Sequence, residues 1–180
     1  MQEGCVLCLG FFDGLHLGHQ ALLCAGVKAA EQMKLCLCVH TFDRSPSPSK
    51  RTLTTLQERE NLLKTYGADR VFVTPFDEHT RHMSGDDFFR RVVLEQIHAR
   101  YVICGEDHRF GYKGGWDVQA LEKLCREAGI GFETVPAFCL DGEKVSSSAI
   151  RQALLEGNAE QAEKLLGRPV PAHWKQVTEQ

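Results

Sequence analysis

The sequence predicts a single α/β domain built on a doubly wound, mostly parallel sheet. Five short apolar runs bounded by turn residues alternate with amphipathic stretches of helical length. Strand–helix alternation of this kind implies right-handed crossovers, with helices covering both faces of the sheet. The 180 residues suit one domain, and 43% hydrophobic with 25% charged residues matches an ordinary soluble globular protein. A chain of this length buries roughly two-thirds of its unfolded surface, so it needs neither disulfide nor metal to fold.

The first strand spans Gly4–Gly10, and Gly18–Met33, with Ala and Leu at helical spacing, forms the first helix. Leu35–Phe42 is the second strand, followed by a Ser/Pro loop from Ser45 to Ser49. Leu56–Tyr66 is helical, with Gly67 as its stop signal. Arg70–Pro75 is the third strand, and Ser84–His98 a helix with Ser84 as its N-cap. Tyr101–Gly105, Asp117–Ala128 and Gly131–Pro136 read as strand, helix and strand. Two short helices, Ser147–Leu155 and Ala159–Leu166, close a domain that runs to residue 170, and 171–180 form a short tail.

A formal net charge of −3 gives no global basic field to hold nucleic acid. No apolar run approaches the ~18 residues of a membrane span, and the N-terminus lacks a signal-peptide pattern. The expectation is a soluble cytoplasmic domain with neither nucleic-acid nor membrane partners. Eight cysteines need a reason, and most have apolar neighbours, as Cys5, Cys8, Cys36 and Cys38 do. Free Cys packs as a small hydrophobe in a reducing compartment. The Cys5/Cys8 spacing matches a metal pair, but strand positions three apart point to opposite faces, which prevents chelation of one ion. Cys24 and Cys125, on helices, are expected to be partly exposed.

Ligands bind open parallel sheets at the carboxyl ends of the strands. The segment leaving the first strand, Gly10 to His19, reads Gly-Phe-Phe-Asp-Gly-Leu-His-Leu-Gly-His. Asp13-Gly14 shapes a turn, and His16 and His19, three apart, share a face of the first helical turn. Gly18 removes a side chain between them, so a flat group can approach the backbone. Free amides and the helix dipole favour phosphate at such a point, and two imidazoles there can donate to its oxygens.

The HxGH string is the signature of the nucleotidylyltransferase superfamily, and the longer string resembles the bacterial FAD synthetase family. The resemblance continues through Thr41-Phe42-Asp43, Leu53-Thr54, Pro75-Phe76-Asp77 and Gly105-Glu106-Asp107-His108-Arg109-Phe110-Gly111. It ends with Val145 to Arg151 and Leu166-Gly167-Arg168-Pro169, spanning roughly residues 4–170. The resemblance implies a Rossmann-like nucleotidylyltransferase fold and transfer of AMP from ATP to FMN, giving FAD and pyrophosphate, with Mg²⁺ offsetting the triphosphate charge. His16, His19 and Arg151 are the catalytic candidates: the histidines serve the α-phosphate and leaving pyrophosphate, and Arg151 the β/γ phosphates. Gly10, Phe11, Phe12, Asp13, Gly18, Asp107, Ser147 and Ser148 are assigned to ATP. Phe76, Asp77, Arg109 and Phe110 are assigned to FMN, and Lys113 joins Arg109 as a contact for its phosphate.

The chain departs from the family pattern in several loops. Arg44-Ser45-Pro46 stands where Pro-His-Pro is usual, His108 where an aromatic is usual, Trp116 where Gly is expected, and Ser148 where Thr is common. The familiar bacterial enzyme adds a C-terminal riboflavin kinase, for which about ten residues after Pro169 leave no room, so a separate riboflavin kinase is expected to supply FMN. Two alternatives stand beside this reading: a nucleotidylyltransferase for another phosphorylated acceptor, and a non-catalytic flavin-nucleotide binding protein. No GxxxxGK[ST] string is present, which argues against a P-loop kinase.

Overall fold

A run of five apolar residues suits a strand covered on both faces, and Cys5–Leu9 (β1) takes that position, all five side chains buried. The computed structural model describes residues 4–47 and 51–174. β1 lies at the centre of a five-stranded parallel sheet with Cys36–Phe42 (β2), Arg70–Thr74 (β3), Ala99–Gly105 (β4) and Gly131–Val135 (β5), in the order β3-β2-β1-β4-β5. The five predicted strands are all present. Alternation along β1 divides the core: Cys5, Leu7 and Leu9 enter one cluster, Val6 and Cys8 the other. Cys5 and Cys8 therefore face opposite sides of the sheet.

Leu17–Met33 (α1) and Leu56–Thr65 (α2) contribute Leu22, Leu23 and Leu63 to the face that holds Val6, Cys8, Leu37 and Val39. α2 begins with a complete capping box, Thr55 and Glu58 each bonding the other's backbone amide. The opposite face is covered by Phe88, Phe89, Val92, Val93 and Ile97, with Leu121 and Cys125 from Val118–Glu127 (α5). A third cluster joins Ser147–Leu155 (α6) to Ala159–Leu166 (α7) through Ile150, Leu165 and Trp174.

Differences from the sequence reading are local. A short helix, Glu78–His82 (α3), follows Asp77, which caps it by accepting from the Thr80 amide. The helix expected over Ser84–His98 is Gly85–Phe88 (α4), capped by Ser84, and then π-type winding over Phe89–Gln96, where the Ile97 amide reaches back five residues to Val92. A small antiparallel hairpin, Cys139–Leu140 (β6) with Glu143–Lys144 (β7), has no counterpart in the sequence reading. Cys24 is exposed as expected, but Cys125 is fully buried, because the apolar stripe of α5 turns it onto the sheet. Trp174, in the segment read as a tail, is only 2% exposed and packs in the third cluster. Pro48 and Ser49 of the Ser/Pro loop, and residues 175–180, lie outside the described residues.

Candidate active site

β1 ends at the sheet centre, where connections leave in opposite directions, and its chain emerges as a tight turn. Phe12 (φ 58°), Gly14 (φ 76°) and Leu15 (φ 45°) are all left-handed there. Two non-glycine residues in that region, at a cost of order 1 kcal/mol or more each, mark a turn held in shape by its surroundings. Asp13 is what holds it. Its carboxylate, in a residue 2% exposed, accepts from the amides of Leu53 (2.9 Å) and Thr54 (3.0 Å), the Thr54 hydroxyl (3.0 Å) and Arg151 Nη2 (2.8 Å). Ser147 adds a bond from its hydroxyl to the Asp13 carbonyl at 2.8 Å. Arg151 is fixed at a second point, Nε donating to the Arg51 carbonyl at 2.8 Å, so the guanidinium is oriented before any ligand arrives.

His16 is not inside α1 but is its N-cap: its backbone is extended, and its Nδ1 accepts the His19 amide at 3.3 Å. That bond leaves the proton of a neutral His16 on Nε2, free to donate. The rings of His16 and His19 stack with centroids 3.6 Å apart and planes 18° from parallel. A Cβ at Gly18 would lie 3.1 Å from the His16 ring, so this position favours glycine. Burial holds His16 down at about 4, against the opposing pull of Asp13 and Asp107. Burial and the neighbouring His16 hold His19 well below the usual imidazole range, and its Nδ1 is buried with no partner among the described residues.

Two cavities meet at this pair. The larger, about 960 Å³, opens over the carboxyl ends of the strands and is lined by Gly10, Phe11, Phe12, His16, Gly18 and His19 at one end. Its other walls include His40, Phe42, Phe76, Phe88, Asp107, His108, Arg109, Phe110 and Lys113. The smaller, about 360 Å³, is lined by Phe11, Phe12, Asp13, both histidines, Ser146, Ser147, Ser148 and Arg151. Of the residues assigned from sequence, only Asp77 lies outside both, its carboxylate used as the cap of α3. Asp13 reaches the wall, but its carboxylate is spent on the turn. Asp107 is paired with Lys144 of β7, which holds its carboxyl below the usual range. Glu106 bonds the Ala137 amide at 2.9 Å instead of facing a ligand.

Sequence reasoning missed several walls. His40 and Phe42 lie at the carboxyl end of β2, where the strand-end rule could have found them. Lys144 comes from a hairpin too short to leave a period in the sequence. Arg59 is 1% exposed, with its guanidinium 4.3 Å from the Phe11 ring centroid and one Nη donating to the Phe42 carbonyl, so it supports the cavity wall from behind. At the far end His82 and Tyr112 stack at 4.9 Å, joining α3 to the glycine-rich loop.

An FAD synthetase family model matches residues 1–149. The chain belongs to the FAD synthetase family. The chain is 33% identical over 174 residues to the bifunctional riboflavin kinase/FMN adenylyltransferase of Escherichia coli (strain K12), covering 93% of this chain and 56% of the relative. The chain thus spans about half the length of this relative. A Geobacillus thermodenitrificans protein whose name proposes the same two activities is 35% identical over 170 residues, with 93% and 92% covered. A solved structure named as a macrolide-efflux protein of Streptococcus pneumoniae superposes with a TM-score of 0.84 at 30% identity, over 94% of this chain and 57% of that one. Among the described residues no helix is long and apolar enough to cross a membrane. Thermotoga maritima TmcAL, solved bound with alpha-thio ATP, shares the fold: TM-score 0.60, 14% identity, 97% of this FAD synthetase family chain and 55% of that one covered.

Proposed function

We propose that the chain transfers AMP from ATP to FMN, releasing pyrophosphate and forming FAD. The observation that carries this reading is the junction of two cavities at the His16–His19 pair. One cavity has hydroxyls and a guanidinium suited to a triphosphate, and the other has aromatic walls suited to a flavin. An oxygen of the FMN phosphate forms a bond to the α-phosphorus of ATP. The bond from that phosphorus to the bridging oxygen breaks, and pyrophosphate departs with the electron pair. The FMN phosphate is ionised at neutral pH, so no side chain need remove a proton from it. Catalysis then consists of alignment and stabilisation of developing charge.

In this reading His16 Nε2–H, with its tautomer set by the His19 amide, donates to the α-phosphate as charge builds. His19, stacked on it, supports the same group. Arg151 and Ser148 receive the outer phosphates. Asp13 acts through Arg151 and the turn as a positioning residue. Arg109 and Lys113 take the FMN phosphate, and Phe42, Phe76 and Phe110 the ring system.

No group of three or more His, Cys, Asp or Glu among the described residues is placed to hold a metal ion. With Asp13 saturated and Asp107 paired, Mg²⁺ would take its oxygens mainly from the triphosphate, offsetting charge as it enters with ATP. FMN would come from a riboflavin kinase. The test is purified protein with ATP, Mg²⁺ and FMN, with FAD and pyrophosphate measured. FAD formation in step with pyrophosphate is the expected result. Turnover with another phosphorylated acceptor but not with FMN would overturn the assignment.

A further inference from the structure

The flavin-side wall of the large cavity is a chain of rings in mutual contact. Phe76 meets Phe42 at 5.1 Å, Phe42 meets His40 at 5.0 Å, and His40 meets Phe88 at 5.2 Å. Phe88 then meets Phe110 at 6.1 Å, and Phe110 lies nearly parallel to His108 at 6.0 Å, with planes 12° apart. All six line the cavity. Two of the six are imidazoles, which differ from phenyl rings chiefly in carrying hydrogen-bonding nitrogens. His40 has used one of its own, with Nε2 bonded to the Thr74 hydroxyl at 2.8 Å. His108 has not: its Nε2 is buried and has no partner among the described residues. A buried polar atom left unpaired is destabilising. At an otherwise aromatic wall, that cost is relieved when a bound molecule supplies the partner.

We propose that His108 is a specificity-determining residue that hydrogen-bonds a ring nitrogen or carbonyl of the flavin, so that the cavity selects a heteroaromatic ring system by its polar edge as well as its flatness. The inference rests on the FMN reading above. Its chemistry fits a ring edge better than a phosphate. Burial, opposed by the nearby Asp107 carboxylate, holds the His108 pKa down at about 4, so at neutral pH it offers one donor and one acceptor instead of a cation. The cations available for a phosphate, Arg109 and Lys113, follow it in the same loop. The Phe110 ring lies nearly parallel to it, with planes 12° apart.

The test uses the full chain and measures dissociation constants by quenching of flavin fluorescence, for FMN and its 1-deaza and 5-deaza analogues, each lacking one ring nitrogen. ATP dependence of the rate is followed in parallel, with His108→Phe and His108→Asn as variants. His108→Phe keeps the ring and removes both nitrogens. We expect it to weaken FMN binding about tenfold, the order of one hydrogen bond, while the KM for ATP stays unchanged. If a ring nitrogen is the partner, one deaza analogue should bind wild type about tenfold worse than FMN and lose nothing further in the variant. If a carbonyl is the partner, FMN and both analogues bind wild type alike, and His108→Asn recovers affinity for all three while His108→Phe does not. FMN affinity unchanged in His108→Phe overturns the proposal and leaves the adenylyl-transfer reading intact. A uniform loss that His108→Asn does not relieve marks a packing role and overturns it too. Wild-type protein that neither binds FMN nor forms FAD removes the FMN reading and this inference together.

Discussion

The two histidines of the turn act as neutral dipoles in the ligand-free protein, because burial outweighs the nearby carboxylates. In the proposed reaction each is a preorganised donor to charge that exists only in the transition state, where a lost donor costs most. His16→Ala and His19→Ala should therefore slow FAD formation by about 100-fold or more with little change in FMN binding. Near-wild-type turnover in both would remove the site assignment. Arg151 has a double task, since it neutralises the buried Asp13 and faces the smaller cavity with its remaining N–H groups. A lysine ammonium cannot span both. Arg151→Lys should raise the KM for ATP by about tenfold or more and leave the FMN dependence alone, and steady-state titration of each substrate separates the two. The sequence made His16, His19 and Arg151 legible because motif spacing names them. It could not reveal that Asp13 is a strut, because the amides it accepts from, those of Leu53 and Thr54, are brought in by another segment; Asp77 caps the short helix that follows it, which leaves no period in the sequence.

Strand positions and most helices were legible because each is a run with one clear period: apolar throughout in β1, helically spaced in α1 and α5. What escaped was shorter than a period. The β6–β7 hairpin has two residues per strand and α3 has five, so neither leaves a pattern, and both border the larger cavity. The π-type winding after α4 was invisible too, since one extra residue per turn barely changes the order of apolar positions. Close packing of helix on sheet is sharpest where α1 crosses the strands. A Cβ at Gly26 would lie 2.6 Å from Cys8 Sγ and 2.9 Å from Leu37. Alanine normally stabilises a helix interior relative to glycine by up to about 1 kcal/mol. Here overpacking should dominate, and Gly26→Ala should destabilise by about 1–3 kcal/mol in a denaturant titration. A stabilised variant would show that α1 is free to lift from the sheet.

Across the whole molecule, four histidines line one cavity, His16 and His40 buried and His19 and His108 half-buried, and desolvation holds the pKa of each below the ordinary 6.5. The unfolded chain binds their protons near pH 6.5, whereas folded His16 and His108 resist until about 4 and His40 until about 3. Their contribution to stability is thus complete above 6.5 and lost as pH falls from there toward 4, each titrating group adding about 1.4 kcal/mol per pH unit to the slope. Denaturant midpoints measured from pH 7.5 to 4.5 should fall steadily, and a flat profile would contradict the burial of these rings. The meeting of two cavities at one histidine pair has a kinetic consequence. In the proposed reaction both reactants are seated at once, so the acceptor takes the adenylyl group directly, with no covalent intermediate on the protein. Double-reciprocal plots at several fixed concentrations of the second substrate should then intersect instead of running parallel, and labelled pyrophosphate should not exchange into ATP until FMN is added.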